Sequence, residues 1–188
     1  VMLISIFMDN HKWNIVEFLS GRILEFGENK FALRTLAECY ENRNEDERKL
    51  EVWDRLVRVD YEEADIARAL GEKREEAGDA AAAVDYYKRA IHRFVNKRQF
   101  NSVKELWDRL VALASDDIEF FLHVERRIAK NISGERAAAL LATLLPACRE
   151  RGEWDTAIEI LKRVLAYEPK NAQARKDIVD CYRAKYRD

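Results

Sequence analysis

Glycine and proline are scarce in this chain, six and two among 188 residues. With Ala, Leu, Glu, Lys and Arg dominant, that scarcity favours helix over sheet, because these side chains lose little rotamer freedom in a helix. Cysteine is equally sparse. Cys39, Cys148 and Cys181 are far apart and odd in number, without CxxC or Cys/His ligand spacing, so neither a disulfide framework nor a zinc site is indicated. Buried reduced thiols in a cytoplasmic protein are expected. Charge of one sign is also missing: the net charge is −2 with 36% charged residues, which leaves no global positive field for non-specific nucleic-acid binding. The apolar start VMLISIF is too short to span a membrane and lacks a basic flank and a cleavage site. What is present is 48% hydrophobic and 10% aromatic residues, ample for a core and incompatible with disorder. The chain opens in mid-pattern at Val1, without an initiator Met, and closes on the charged helix RAKYRD, so an excised fragment of a longer protein is expected.

Apolar residues recur at three- and four-residue spacings in short blocks separated by breaks such as GEN, NRNED, AGD, NKRQ and RGE. The pattern predicts an all-α chain of about eleven helices, at 1–9, 12–26, 30–42, 46–59, 63–77, 80–96, 100–114, 116–129, 134–150, 153–167 and 171–187. Gly27, Gly78 and Gly152 can take the left-handed conformation after a helix, and Pro169 cannot continue one. Pro146 lies inside the predicted helix of 134–150 and predicts a bend there.

Helices of 10–17 residues joined by very short links favour antiparallel neighbours and call for a search for internal repeats. Around GEWDTAIEILKRVLAYEPKN the order Gly152, Ala157, Leu161, Val164, Pro169 resembles the second helix of a tetratricopeptide repeat, whose period is about 34 residues. The same grid falls on Gly78, Ala83, Tyr87 and Ala90, with the family's Leu-Gly pair as Leu70 and Gly71 in the preceding helix. Earlier, Leu36, Ala37 and Tyr40 take the first-helix places, and near the end Ile178, Val179 and Tyr182 do; Trp53 and Leu56 are packing positions of a second helix. Small residues such as Ala83, Ala157 and Gly71 allow close helix crossing, while Tyr87, Trp53 and Leu161 fill the wedge between pairs. A right-handed superhelical solenoid, a single domain over 1–188, is what the resemblance implies. Departures exist: Arg74 replaces a usual aromatic, Tyr61 and Val95 stand where proline is common, and Lys49 takes a usual alanine position. Residues 30–97 and 138–187 fit well, 10–29 loosely through Trp13 and Val16, and 98–137 poorly.

Two near-identical phrases, EVWDRLVRV at 51–59 and ELWDRLVAL at 105–113, are 54 residues apart. On a period of 34 the counterpart of Trp53 is Tyr87, and Trp107 comes 20 residues later, since 34 plus 20 is 54. The helix of 100–114 therefore carries a second-helix signature where a first helix belongs. A slip of alternation near 97–100 is expected, with the helix of 80–96 serving as second helix of one pair and first of the next, and with irregularity across 97–137.

No catalytic constellation emerges. His11, His92 and His123 lie in different segments without a Ser or Cys at motif spacing, and glycine-rich phosphate loops, HExxH and paired-acid motifs are absent. The four tryptophans, set among leucines at helical spacing, read as packing wedges rather than a ligand cage. The expectation is no enzyme and no cofactor. One basic cluster, KRAIHRFVNKRQ, contains Lys88, Arg89, His92, Arg93, Lys97 and Arg98 without an acid; it predicts either a positive ridge for an acidic partner or RNA, or a solvated face with snorkelling stems. The resemblance adds a second surface. In tetratricopeptide proteins first helices line a groove, and the matching positions are Arg34, Glu38, Arg68, Glu72, Glu75, Lys176 and Arg183. Their mixed signs, and the missing Lys/Asn pattern, argue against a two-carboxylate clamp for a peptide C-terminus.

The phrases RILEFGENKFALRTLAECYE, WDRLVRVDYEEADIA, AVDYYKRAIHRFVNKRQFNSVKELWDRLV and EWDTAIEILKRVLAYEPKNAQARKDIVDCYRAKY resemble the N-terminal helical-repeat region fused to Gre-type transcription elongation factors in spirochaetes. That resemblance implies an accessory interaction module, with the polymerase-entering coiled coil outside these residues. Its implied partner is another protein or another domain of the same chain, RNA polymerase among them. An RNA-contacting half-repeat module, similar to HAT repeats, and a generic adaptor are the alternatives.

Overall fold

The computed structural model describes residues 2–59 and 63–187. Twelve helices lie among them: α1 (Met2–Asp9), α2 (Trp13–Leu24), α3 (Lys30–Asn42), α4 (Asp46–Val59), α5 (Ala64–Glu76), α6 (Ala80–Asn96), α7 (Phe100–Ala114), α8 (Ile118–Asn131), α9 (Gly134–Ala142), α10 (Leu145–Glu150), α11 (Trp154–Tyr167) and α12 (Ala172–Lys185). No strand occurs among the described residues, and none of the helices is long and apolar enough to cross a membrane. The proline-like position assigned to Tyr61 lies outside the described residues.

Helix starts follow the local chemistry. Asn29, Asp117, Ser133 and Asn171 each accept a hydrogen bond from the backbone N–H three residues on, satisfying a donor that the helix leaves open. Helix ends show a recurring device. His11, Asn44, Gly78, Arg98 and Gly152 all adopt positive φ, and in each case the next residue donates its N–H to the carbonyl five back. The bonds are Lys12 to Phe7, Glu45 to Tyr40, Asp79 to Arg74, Gln99 to Phe94 and Glu153 to Cys148, at 2.8 to 3.0 Å. This closure satisfies an orphan carbonyl and leads from one helix to the next through three residues. Only two of these five positions are glycine, so the sequence shows the device at Gly78 and Gly152 and hides it at the other three.

The chain divides into two compact units, Val1–Arg93 and Phe94–Asp188, each described by itself. In the first, Leu33, Leu36, Ala37 and Tyr40 of α3 pack with Val52 and Leu56 of α4, and Leu24, Trp53, Val59 and Ile66 lie against them. A second cluster joins Ile4 of α1, Val16 of α2 and Cys39 of α3. Gly71 of α5 lies so close to the Tyr87 ring of α6 that a Cβ there would run into it. Small residues thus set the helix spacing.

In the second unit Trp107 of α7 is wholly buried, edge-on to Phe121 of α8 at 4.8 Å, and its Nε1–H donates to Thr143 Oγ1 at 2.9 Å. Truncating such a ring costs about 3–5 kcal/mol. The bend expected at Pro146 is a break: α9 ends at Ala142 and α10 starts at Leu145. Proline supplies no N–H for the carbonyl four residues back, and the Thr143 hydroxyl meanwhile donates to Leu140 O at 2.7 Å. The single helix expected over 134–150 is therefore two, and about eleven helices become twelve.

Candidate functional site

On α3 the apolar positions Leu33, Leu36, Ala37 and Tyr40 face the core, which leaves Arg34 and Glu38 on the solvent side. Arg34 Nε donates to Glu63 Oε1 at 2.6 Å, so the α3 arginine reaches the start of α5. Along α5, Arg68 pairs with Asp65 at 3.5 Å and Glu72 is half-buried. These side chains form a charged surface of alternating sign on two consecutive first helices of one unit. Glu75 departs from the sequence expectation. Its carboxylate accepts the Tyr87 hydroxyl at 2.6 Å, which places it in the α5–α6 packing. In the second unit Lys176 and Arg183 are exposed on α12, with Arg183 at 3.5 Å from Asp180.

The basic cluster of α6 does not form an even ridge. Arg93 is buried at 9% exposure, because it flanks the packed stripe of Ala90, Ile91 and Phe94. Arg89 pairs with Asp85 at 2.8 Å, one turn back, and Lys88 and His92 are half-buried. Lys97 and Arg98 are exposed beyond the helix end. Arg98 lines a cavity of about 460 Å³ with Phe100 and Arg136, and the Arg136 guanidinium sits 4.6 Å from the Phe100 ring centroid. The sequence shows six basic side chains within eleven residues; the helix distributes them among interior, ion pair and turn.

Two ionic networks join residues too distant in sequence to be paired beforehand. Glu17 of α2 receives Arg43 and Arg48, each at 2.5 Å, and the Tyr40 hydroxyl at 3.1 Å, while the Arg48 guanidinium lies 4.3 Å over the Tyr40 ring. Partial burial opposes ionisation of Glu17, yet the hydrogen bonds from Arg43, Arg48 and Tyr40 hold its carboxyl below the ordinary value. Burial, and then the bond to Glu17, pushes Tyr40 up to about 12. In the second unit Glu125 of α8 is wholly buried, bonded to Arg163 at 3.2 Å and to the Tyr167 hydroxyl, both on α11. Tyr167 is likewise pushed up to about 12, by burial first and then by this acid. Every acid in these networks accepts from at least one donor, and the bonds tie one helix to another.

All three cysteines are buried and unbridged, with burial raising the thiols of Cys39 and Cys148. Among the described residues no group of three or more His, Cys, Asp or Glu could hold a metal ion. Of the repeat positions, Leu36, Tyr40, Leu70, Gly71, Ala83, Tyr87, Ala90, Trp107, Ala157 and Leu161 are buried, Trp53 is half-buried with Lys49 5.0 Å over its ring, and Pro169 is exposed.

Residues 149–185, covering α11 and α12, match the family model of the tetratricopeptide repeat. Over 187 residues, 100% of this chain, it is 44% identical to a putative GreA-associated domains protein of Treponema pallidum, of which the matched stretch is 28%. Over 186 residues, 99% of the chain, it is 33% identical to a transcription elongation factor GreA of Borreliella burgdorferi, of which the stretch is 20%. The chain thus spans less than a third of either curated relative. A solved structure of MamA shares 17% identity at a TM-score of 0.41, covering 89% of this chain and 95% of that one. Residues 149–185 are thus similar to a tetratricopeptide repeat, and along its whole length the chain is similar to stretches of two spirochaetal proteins named for GreA.

Proposed function

We propose that the chain is a non-catalytic protein-binding module of a larger transcription elongation factor, acting in the cytoplasm with RNA polymerase. The observation that carries this reading is the 44% identity, along the whole chain, to a protein named for association with GreA. Repeat arrays of this kind present extended surfaces and need no pocket of their own. The surface offered to the partner is the alternating-sign patch of Arg34 with Glu63, Glu38, Arg68 with Asp65, and Glu72. Charges on such a rim set association rate and orientation more than affinity.

Binding of the chain to purified spirochaetal RNA polymerase, measured by biolayer interferometry, tests the proposal. The double variant Arg34→Glu with Glu38→Lys is expected to weaken binding at least tenfold and flatten its salt dependence, while losing no more than about 1 kcal/mol of stability with the exposed Arg34–Glu63 pair. An absence of binding by the wild-type chain would reject polymerase as the partner. Capture by another domain of the same polypeptide would redirect the role to intramolecular docking. The interrupted α6 cluster gives no support to an RNA-binding reading.

A further inference from the structure

We infer that α12 is the first helix of an unfinished pair, and that its outer face is covered by an antiparallel second helix of the same polypeptide. Counting back from the left-handed turn residue, the eighth, seventh and fourth positions are Leu36, Ala37 and Tyr40 before Asn44, and all three are at most 7% exposed. Before Gly78 the first two are Leu70 and Gly71, both buried, while the fourth-back place is the exposed Arg74; before Gly152 the three are Leu144, Leu145 and Cys148, all buried. What buries them is the helix beyond the turn: Val52 and Leu56 of α4 pack on Leu36 and Tyr40, and Tyr87 of α6 lies on Gly71.

In α12 the same places hold Ile178, Val179 and Tyr182. Val179 is 46% exposed and Tyr182 38%, and Tyr186, one turn further, is 77% exposed and stacked on Tyr182 with ring centroids 6.5 Å apart. The opposite side of α12 is already engaged. Ala174 and Cys181 are buried, Asp177 pairs with Arg149 of α10 at 3.0 Å, and Lys185 reaches Asp155 of α11 at 2.5 Å. The helix is therefore fixed in place, with Val179 exposed at the seventh-back place that Ala37, Gly71 and Leu145 bury and with Tyr182 and Tyr186 open beside it.

The other pairs also specify the occupant's chemistry. Nine residues past the turn stands a large side chain, Trp53, Tyr87 or Leu161, and three further on a smaller apolar one, Leu56, Ala90 or Val164. The same polypeptide is favoured over a free partner because every covering helix here follows its pair-mate through a turn of two or three residues, which places the second helix at high effective concentration. The curated relatives, of which the matched stretch is 28% and 20%, have the length to supply one. This inference does not depend on polymerase being the partner.

Hydrogen exchange of the α12 amides, compared between the 188-residue chain and the polypeptide as the cell makes it, tests the inference. Exchange in α12 is expected to slow at least tenfold in the cellular polypeptide, and Val179→Glu or Tyr182→Glu to remove that slowing. In the 188-residue chain the same substitutions should leave the helical circular dichroism unchanged, because these side chains already meet water. Equal exchange in the two polypeptides overturns the inference. So does a dimer of the 188-residue chain, seen in sedimentation and dissolved by Val179→Glu, since a second copy would then own the face.

Discussion

Among single residues, Gly71 and Gly21 show how one residue type carries opposite consequences. Both lie inside helices. A Cβ at Gly71 meets the buried Tyr87 ring, whereas one at Gly21 meets nothing within 4 Å. Gly71→Ala is expected to cost about 1–3 kcal/mol through overpacking, with part of the loss recovered in a Gly71→Ala, Tyr87→Leu double variant. Gly21→Ala should instead gain up to about 1 kcal/mol from helix propensity and a less flexible unfolded chain. Urea denaturation of the variants measures both signs. Glu17 gives a pH dependence. Its folded value is lowered, so its contribution to stability is complete above the ordinary value of 4.5 and is lost as the pH falls through the folded value. Glu17→Gln should therefore cost about 1–2 kcal/mol at pH 7 and progressively less as the pH falls below 4.5, read from the midpoint of urea unfolding at each pH.

At the scale of elements, the left-handed turns organise the chain. Gly78→Ala and Gly152→Ala are each expected to cost about 1 kcal/mol in thermal unfolding, because both residues sit at positive φ in open space where conformation is the only penalty. The twin phrases belong to the same device: Trp53 follows Asn44 by nine residues, Tyr87 follows Gly78 by nine, and Trp107 follows Arg98 by nine. The near-identical phrases bury two positions in common, Val52 and Leu56 in α4 and Leu106 and Leu110 in α7, and differ in the third: Val57 is buried with Trp53 half out, whereas Trp107 is wholly buried and Val111 half out. That α7 follows a turn of the kind that elsewhere leads into α4 and α6 supports the proposal that alternation slips after α6, making 97–137 the irregular stretch. A crystal structure in which first- and second-helix roles alternate unbroken through 95–115 would refute it.

For the whole molecule, helices that pack mainly on their sequence neighbours distribute stability along the chain, and those with open apolar faces exchange first. In the 188-residue chain, amide exchange should be fastest in α1 and α12, where Met2, Leu3, Val179 and Tyr186 lie open, and slowest in α3, α8 and α11, which are packed on more than one side. Exchange rates by mass spectrometry check the order. By itself the sequence determined the helices, most of their limits and the residues that set pair spacing, because apolar periodicity, caps and turn glycines act within a few residues of each other. The tertiary structure alone decided that Arg93 turns inward, that Glu75 serves Tyr87, that Glu125 is clasped by Arg163 and Tyr167, and which tryptophan of the twin phrases is buried. Those outcomes depend on neighbours a dozen to forty residues away, and a helical pattern records only that a face is covered, leaving open which helix covers it.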